Sequence, residues 1–170
     1  NIFKRWYLNI HAKRLKNEEI KFWNNIDSIL SISETDRSYI IKQCPTPTFT
    51  LGLHIEKRHL QYNDQSTKVD FFHLGAMDWL PNQDGMNWIL KDVFPKVKQK
   101  EKSAEIHLAG RAMPTKLKSH KQDGYYNHGE VSNASDFMSK HKVMLVPLFT
   151  GSGIRVKIID GMSLGKCIIS

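Results

Sequence analysis

Short apolar runs alternate with longer amphipathic segments from Val69 to the last residue, Ser170. Short apolar runs bounded by glycine are typical of strands that are buried on both faces of a parallel sheet. Such strands are predicted at residues 69–74, 105–109, 125–128, 143–148 and 167–170. A helix is predicted at residues 82–94, capped by Asn82 and ended by Pro95. Further helices are predicted at residues 133–140 and after the turn at residues 151–153. This alternation predicts an α/β fold with a parallel sheet and right-handed crossovers.

The first 68 residues show a different pattern and are predicted to form a separate, partial unit. A basic helix is predicted over residues 2–25, where Phe3, Trp6, Tyr7 and Ile10 fall at helical spacing. A strand, a helix, a second strand and a polar linker are predicted in turn at residues 26–33, 34–43, 49–55 and 56–68. The domain boundary is therefore placed between residues 68 and 69.

The net charge of +8 narrows the choice of partners. Residues 1–68 carry 11 basic and 7 acidic side chains, and residues 69–170 carry 14 and 10, so each part contributes +4. Because the excess is spread evenly, we expect no nucleic-acid partner and weak attraction to anionic membrane surfaces. No run approaches the ~18 apolar residues of a membrane span.

The positions of the cysteines and histidines argue against a disulfide framework and against a structural metal site. Cys44 and Cys167 lie far apart and are expected to be reduced thiols in a cytoplasmic protein. The eight histidines show no metal-ligand spacing along the chain, so no structural metal is expected. Asn133 begins a glycosylation sequon, but without a secretory signal it is expected to cap a helix.

The turn at residues 151–153 combines glycine with nearby positive charge. Gly151 and Gly153 allow a tight turn that leaves main-chain N–H groups uncovered. The following helix has a positive partial charge at its start, and Arg155 and Lys157 add two full charges. Together these features predict a phosphate-binding site. The alternative is that the glycines serve only a tight strand-to-helix turn.

Two better-known phosphate motifs do not fit this part of the chain. Residues 151–156 lack the third glycine of a dinucleotide fingerprint, which also belongs to the first strand of a sheet. Residues 161–166 are one residue short of a P-loop and precede a strand instead of a helix. Gly75, Gly110 and Gly129 each follow a predicted strand, so they are expected at the carboxyl edge of the sheet, where ligands bind.

Four stretches together resemble the donor-binding half of a retaining glycosyltransferase of the GT-B fold, from the large group called glycosyl transferases group 1. They are residues 72–88, 106–111, 128–131 and 146–166. The resemblance implies a Rossmann-like parallel sheet with helices on both faces for residues 69–170. It implies that residues 1–68 are the end of the acceptor domain, a helix–strand–helix segment, with the linker.

The resemblance also implies roles for individual residues. Arg155 and Lys157 stand where cations stabilise the leaving diphosphate, and Asp160 stands where a glutamate accepts the ribose hydroxyls. Ser152 replaces a second glutamate of the family, which removes that carboxylate. The remaining donor contacts implied are Gly75, Ala76, Arg111, Val131, Gly153 and Ile154. Two alternatives stand beside these roles, namely that Asp160 pairs with Lys157 at i, i+3 and that Arg111 is an ordinary surface cation.

The function implied is retaining transfer of a hexose from a nucleotide-diphosphate sugar to a saccharide or lipid-linked acceptor in glycan or polysaccharide biosynthesis. The implied site needs no metal and no cofactor besides the donor. The chain alone is expected to bind nucleotide weakly, to turn over nothing and to self-associate through an unprotected sheet edge. The enzyme is expected to be cytoplasmic or peripheral on the inner membrane face. One alternative to an enzyme is a non-catalytic module that binds anions or an anionic membrane surface. A flavodoxin-like cofactor binder fits the alternation but lacks a flavin loop.

Overall fold

The computed structural model describes residues 2–52, 69–150 and 154–170. The chain divides into two compact units, residues 1–54 and residues 55–170. The first unit contains α1 (Ile2–Trp23), β1 (Ile29–Ser31), α2 (Glu34–Ile40) and β2 (Thr48–Thr50). β1 and β2 pair in parallel over a small core of Ile29, Ile40 and Cys44. The predicted helices and strands of this unit are therefore found with different bounds. Residues 53–55 of the second predicted strand and the predicted linker at residues 56–68 lie outside the described residues.

The second unit is built on five parallel strands, in the spatial order β5-β4-β3-β6-β7. These are β3 (Asp70–Leu74), β4 (Glu105–Ala109), β5 (Tyr125–Gly129), β6 (Val143–Leu145) and β7 (Cys167–Ile169). The chain first extends the sheet outward from β3 to β5, then returns and adds β6 on the other side of β3. This is the doubly wound order, and the predicted α/β fold is confirmed.

Helices cover both faces of this sheet because strand residues alternate between the faces. On one face Ile106 and Leu108 pack with Met86 and Phe94, which come from α3 (Leu80–Trp88) and α4 (Phe94–Lys100). On the other face Phe72 and Met144 pack with Phe137 and Leu164. These two side chains come from α6 (Ala134–Ser139) and from the end of α7 (Val156–Ser163). A short helix, α5 (Thr115–Lys118), adds Leu117 to the first cluster.

The helix after β3 differs from its prediction at both ends. It begins at Leu80, with Trp79 at the N-cap position, so the prediction that Asn82 caps it is wrong. Pro95 does not end it either, because a π-helical turn, Ile89–Val93, joins α3 to α4. In that turn the Phe94 N–H bonds to the Ile89 carbonyl, five residues back. The wider turn accommodates a proline ring that would collide with the carbonyl four residues earlier in an α-helix.

The last strand differs from its prediction in burial. β7 was predicted to be buried, but it lies at the edge of the described sheet and Ile169 is 52% exposed. Asn133 caps α6 as predicted, since its side chain accepts from the N–H groups of Ser135 and Asp136. Among the described residues, no helix is both long and apolar enough to cross a membrane.

Candidate functional site

A cleft opens where the strand order of the second unit reverses, between β3 and β6. Ligands of doubly wound sheets bind outside the carboxyl ends of the strands at this switch point. The cleft has a volume of about 550 Å³. Its described lining residues are Gly75, Ala76, Asp78, Trp79, Asn82, Arg111 and Lys157. Four of these, Gly75, Ala76, Arg111 and Lys157, are sequence-predicted site residues that the fold brings together.

Gly75 is the point on which the polar groups of the cleft converge. A Cβ at this position would lie 2.7 Å from Lys157 Nζ, 2.8 Å from Asn82 Nδ2 and 3.0 Å from His73 Nε2. Three polar side chains therefore occupy the space that any other residue would fill. The next turn approaches Gly75 as well, because a Cβ on Gly110 would lie 1.8 Å from the Gly75 carbonyl oxygen. Gly110 is thus required by strand-end packing rather than by a ligand.

Asn82 links the two helices that flank the cleft. Its side chain is on the first turns of α3, and the residue is only 2% exposed. Nδ2 donates to the Ala76 carbonyl at 2.8 Å, and Oδ1 accepts from Lys157 Nζ on α7 at 3.0 Å. The amide therefore fixes both the turn after β3 and the position of the ammonium group. Sequence reasoning assigned Asn82 to a cap and missed this role.

Lys157 carries a positive charge that is half-buried and has a neutral hydrogen-bond partner. Burial first, and the neighbouring Arg155 charge second, lower the pKa of Lys157 to about 8. The amine is therefore still mainly protonated at pH 7. In the described part of the chain no ion pair joins it to Asp160, so that alternative for Asp160 is not realised. A half-buried cation held by an amide is stabilised by any anion that enters the cleft.

His73 lies on β3, and its side chain is close to Gly75. The residue is fully buried, and Nδ1 donates to the Leu145 carbonyl of β6 at 2.8 Å. Burial, followed by the Lys157 charge, lowers the pKa of His73 to about 3, so the imidazole is neutral. Nε2 is then an acceptor, and it has no hydrogen-bond partner among the described residues. An unmatched buried acceptor beside a half-buried cation is typical of a binding site, and no sequence motif marked His73.

Two arginines stand at the rim of the cleft. Arg111 has a 65% exposed side chain, and its Nη2 lies 3.6 Å from Asp78 Oδ2. The Arg111 carbonyl accepts from the Met77 N–H at 2.9 Å, which ties the turn after β4 to the turn after β3. The Arg155 guanidinium lies 5.9 Å from the centroid of the Trp79 ring, within the range of a cation–π contact. Trp79 therefore both lines the cleft and contacts this cation.

The remaining predicted residues lie outside the described lining of this cleft. Val131 packs against the apolar cluster around Phe72 and Phe137. Asp160 is half-buried on α7, where its main-chain carbonyl accepts from Ser163 Oγ at 2.7 Å. Ile154 is half-buried and precedes Arg155, the N-cap residue of α7. Ser152 and Gly153 lie outside the described residues.

Fold and site together define a doubly wound α/β domain with lysine and arginine side chains at its switch point. This combination is typical of domains that bind nucleotide phosphates. The family model described as glycosyl transferases group 1 matches residues 68–170, and the chain belongs to this family. No curated protein matches the chain.

Solved structures support the same assignment at the level of the fold. The crystal structure of TarM superposes with a TM-score of 0.71 at 16% identity. The match covers 90% of this chain and 31% of the TarM chain, so the present chain spans about a third of that protein. At this identity the likeness shows the fold alone, a Rossmann-like α/β fold of the kind found in GT-B glycosyltransferases.

Proposed function

We propose that the second unit binds the diphosphate of a nucleotide sugar in the cleft at Gly75 and serves a retaining hexosyl transfer. The acceptor proposed is a saccharide or a lipid-linked saccharide in glycan or polysaccharide biosynthesis. One observation carries the proposal. The Lys157 ammonium is half-buried at the switch point and lies 3.0 Å from the neutral amide of Asn82. It also lies where the side chain of any residue other than Gly75 would be. Family membership supplies the reaction class.

Lys157 and Arg155 have the proposed catalytic role. When the anomeric C–O bond breaks, negative charge accumulates on the leaving diphosphate and positive charge accumulates on the sugar ring. Cations that already stand beside the diphosphate stabilise the transition state without reorganising. Each charge-assisted hydrogen bond contributes about 1.5–3 kcal/mol. Interactions that strengthen as charge develops lower the barrier, whereas interactions of constant strength improve only binding.

The other predicted residues complete the proposed donor site. Gly75 and Ala76 let the main chain approach the phosphates, and Arg111 adds a cation at the rim. We assign Asp160 to the ribose hydroxyls, Val131 to the base and the main chain of Ser152, Gly153 and Ile154 to the diphosphate. The cations make a resident metal or cofactor unnecessary for donor binding. The proposal therefore predicts the same Kd for UDP in the presence of Mg²⁺ and in the presence of EDTA.

Calorimetric titration with UDP and GDP tests the site. Arg155→Ala and Arg111→Ala are expected to weaken binding, each by roughly tenfold or more if it removes one charge-assisted contact. Lys96→Ala is the matched control, because this lysine is exposed on α4 and lies outside the cleft lining. An unchanged Kd in Arg155→Ala would remove Arg155 from the site. Unchanged binding in both arginine variants would refute the diphosphate proposal.

A second candidate function rests on α1. Phe3 and Trp6 are 82% and 63% exposed in the described structure, with Lys4 and Arg5 beside them. Exposed aromatic and basic side chains at the start of a helix suit contact with an anionic membrane surface. We propose peripheral contact with the inner membrane face as the corresponding location of a cytoplasmic enzyme. Phe3→Ser/Trp6→Ser should abolish co-sedimentation with anionic vesicles and leave UDP binding intact, and equal sedimentation of both proteins would exclude this contact.

A further inference from the structure

The fold gathers three histidines on the face of the sheet that α6 covers. His107 lies in the middle of β4, His128 near the end of β5 and His141 in the turn between α6 and β6. One ligand nitrogen from each can be chosen so that all lie within 4.8 Å of one another. We propose that His107, His128 and His141 bind a divalent transition-metal ion, with Zn²⁺ the best match. Three imidazoles are a ligand set that zinc accepts, with a fourth position left open.

The second ring nitrogen of His141 is already oriented by a carboxylate. His141 Nδ1 lies 2.8 Å from Asp70 Oδ2 and 3.1 Å from Asp70 Oδ1, so it donates to that carboxylate. This leaves Nε2 with its lone pair available to a metal. Histidine ligands of metals commonly donate their other N–H to a carboxylate, which fixes the tautomer and the ring orientation. Asp70 is therefore a positioning residue in the proposed site.

His107 and His128 present the other two ligand nitrogens. His107 Nε2 faces two carboxylates, at 3.7 Å from Asp70 Oδ1 and 3.6 Å from Glu105 Oε2. Its Nδ1 lies 2.9 Å from His128 Nε2, so the two nitrogens share one proton in the metal-free protein. A metal ion that binds both nitrogens replaces this hydrogen bond, and the proton moves to the other nitrogen of its own ring, so each neutral imidazole keeps one proton.

The acidic groups beside the rings favour a bound cation. The carboxylates of Asp70 and Glu105 lie behind the rings and attract a divalent cation, while Lys140 and Lys166 are the basic groups nearby.

The distances are compatible with tetrahedral coordination after small rotations. Zinc–nitrogen bonds of about 2.0–2.1 Å place tetrahedral ligand atoms roughly 3.3–3.4 Å apart. The present nitrogens lie within 4.8 Å, so the largest adjustment is about 1.5 Å. Aromatic neighbours limit the rotations, since Tyr126 stacks on His107 at 4.8 Å and Phe137 lies 4.7 Å from His141. These contacts hold all three rings near a common centre.

The proposed metal site is separate from the donor cleft and does not depend on it. None of its residues is among the described lining of the cleft. Bound metal would connect β4, β5 and the turn before β6, with β3 joined through Asp70. Since β4 and β5 lead to Arg111 and Val131, we expect metal to stabilise the strand ends that carry predicted donor contacts. Because the two sites share no described residue, a loss of nucleotide binding alone would not refute the metal site.

Titration of the untagged chain with Zn²⁺ after EDTA treatment tests the proposal, in a Cys167→Ser background that removes an exposed thiol. We expect one equivalent of Zn²⁺, a Co²⁺ absorption spectrum typical of tetrahedral nitrogen coordination and no response to Mg²⁺. His128→Asn should lower zinc affinity at least tenfold. His128 is chosen because it is exposed, so the substitution is compatible with folding, and His120→Gln is the matched control.

Two further measurements distinguish one specific zinc site from nonspecific zinc binding. Asp70→Asn should lower affinity by about 10–100-fold although Asp70 contributes no ligand. Zinc at ~100 times its Kd should raise the melting temperature of the parent chain by roughly 5–10 °C, and should not do so in His128→Asn. Zinc affinity in His128→Asn within twofold of the parent, or a Co²⁺ spectrum that the substitution leaves unchanged, would overturn the proposal.

Discussion

Replacing Lys157 with methionine tests whether this lysine binds the diphosphate. Methionine keeps most of the side-chain length and removes the charge. In the structure Lys157 Nζ is held 3.0 Å from Asn82 Oδ1, at the point where the cleft narrows onto Gly75. One charge-assisted hydrogen bond contributes about 1.5–3 kcal/mol. Lys157→Met is therefore expected to raise the Kd for UDP by roughly 10–150-fold at pH 7.

The same interaction predicts how binding depends on pH. The pKa of Lys157 in the free protein is about 8, lowered by burial and then by Arg155. A bound diphosphate stabilises the ammonium, so an interaction of about 1.5–3 kcal/mol raises this pKa by roughly one to two units. Between the two pKa values binding takes up a proton, and the Kd rises about tenfold per pH unit. Affinity should therefore be nearly constant up to pH 8 and fall between about pH 8 and 10.

Calorimetric titration with UDP from pH 7 to 10 measures both effects. Lys157→Met should bind weakly with a flat pH profile. Lys157→Arg should bind with a flat profile too, but more tightly, because arginine stays charged throughout this range. The exposed Lys96→Ala should reproduce the wild-type profile. A wild-type Kd that stays constant from pH 7 to 10, or a methionine variant that keeps the slope, would refute the role of Lys157.

Unfolding measurements distinguish loss of the ligand contact from loss of structure. The pKa of Lys157 is depressed in the folded state from an ordinary value of 10.5, so the unfolded chain binds more protons between about pH 8 and 10.5. Wild-type stability should therefore rise with pH across this window. At pH 7 Lys157→Met should be at least as stable as the wild type, and this advantage should shrink by pH 10. A variant that is destabilised at pH 7 would indicate a structural role instead.

Four further outcomes are expected. Gly75→Ala should abolish UDP binding, because its Cβ displaces Lys157 Nζ and the Asn82 amide, as calorimetry would show. Gly85→Ala should destabilise the fold by more than about 2 kcal/mol in urea titrations, because its Cβ would lie 1.8 Å from the Pro147 carbonyl oxygen. The fully buried His73 has a pKa of about 3, so wild-type stability should fall as pH drops from 6.5 toward 3, and His73→Leu should flatten that slope. Ile169→Lys, on the exposed edge strand β7, should reduce any self-association measured by light scattering.

The strands were predictable because hydrophobic alternation depends on short stretches of sequence. β4 was predicted and found at residues 105–109, where apolar side chains alternate with Glu105 and His107 between polar residues and Gly110. The parallel arrangement followed from the alternation of strands with helices, which leaves few topologies open. The strand order and the switch point between β3 and β6 are properties of the whole sheet, and no local pattern in the sequence predicted them.

The errors occurred where local rules and tertiary packing disagreed. Pro95 normally ends a helix, but the π-helical turn before it relieves the collision and allows the helix to continue. Asn82 has the features of an N-cap, yet it lies one turn inside the helix, where Lys157 and the Ala76 carbonyl satisfy its amide. The sequence signal for this role of Asn82 was a polar residue at an otherwise buried helix position. That signal distinguishes an N-cap from a buried hydrogen-bond network only when the first residue of the helix is known.

The histidine cluster was not predictable from spacing. His107, His128 and His141 lie on three different elements, and only the order of neighbouring strands places them on one face. Sequence motifs for metals depend on ligands that share a turn or a helix. Ligands from two strands and a turn leave no such signature. The expectation of no structural metal was based on ligand spacing along the chain, which does not detect a site of this kind.

The donor cleft concentrates features that cost stability in the free protein. The Lys157 ammonium is partly desolvated beside a neutral amide, and His73 Nε2 is buried with no partner among the described residues. Both atoms converge on Gly75, whose missing side chain makes room for them. Isolated defects of this kind would be replaced easily, because apolar side chains of similar size would stabilise the fold. The desolvated ammonium at the strand-order reversal is therefore explained best by an anion that stabilises its charge when it binds.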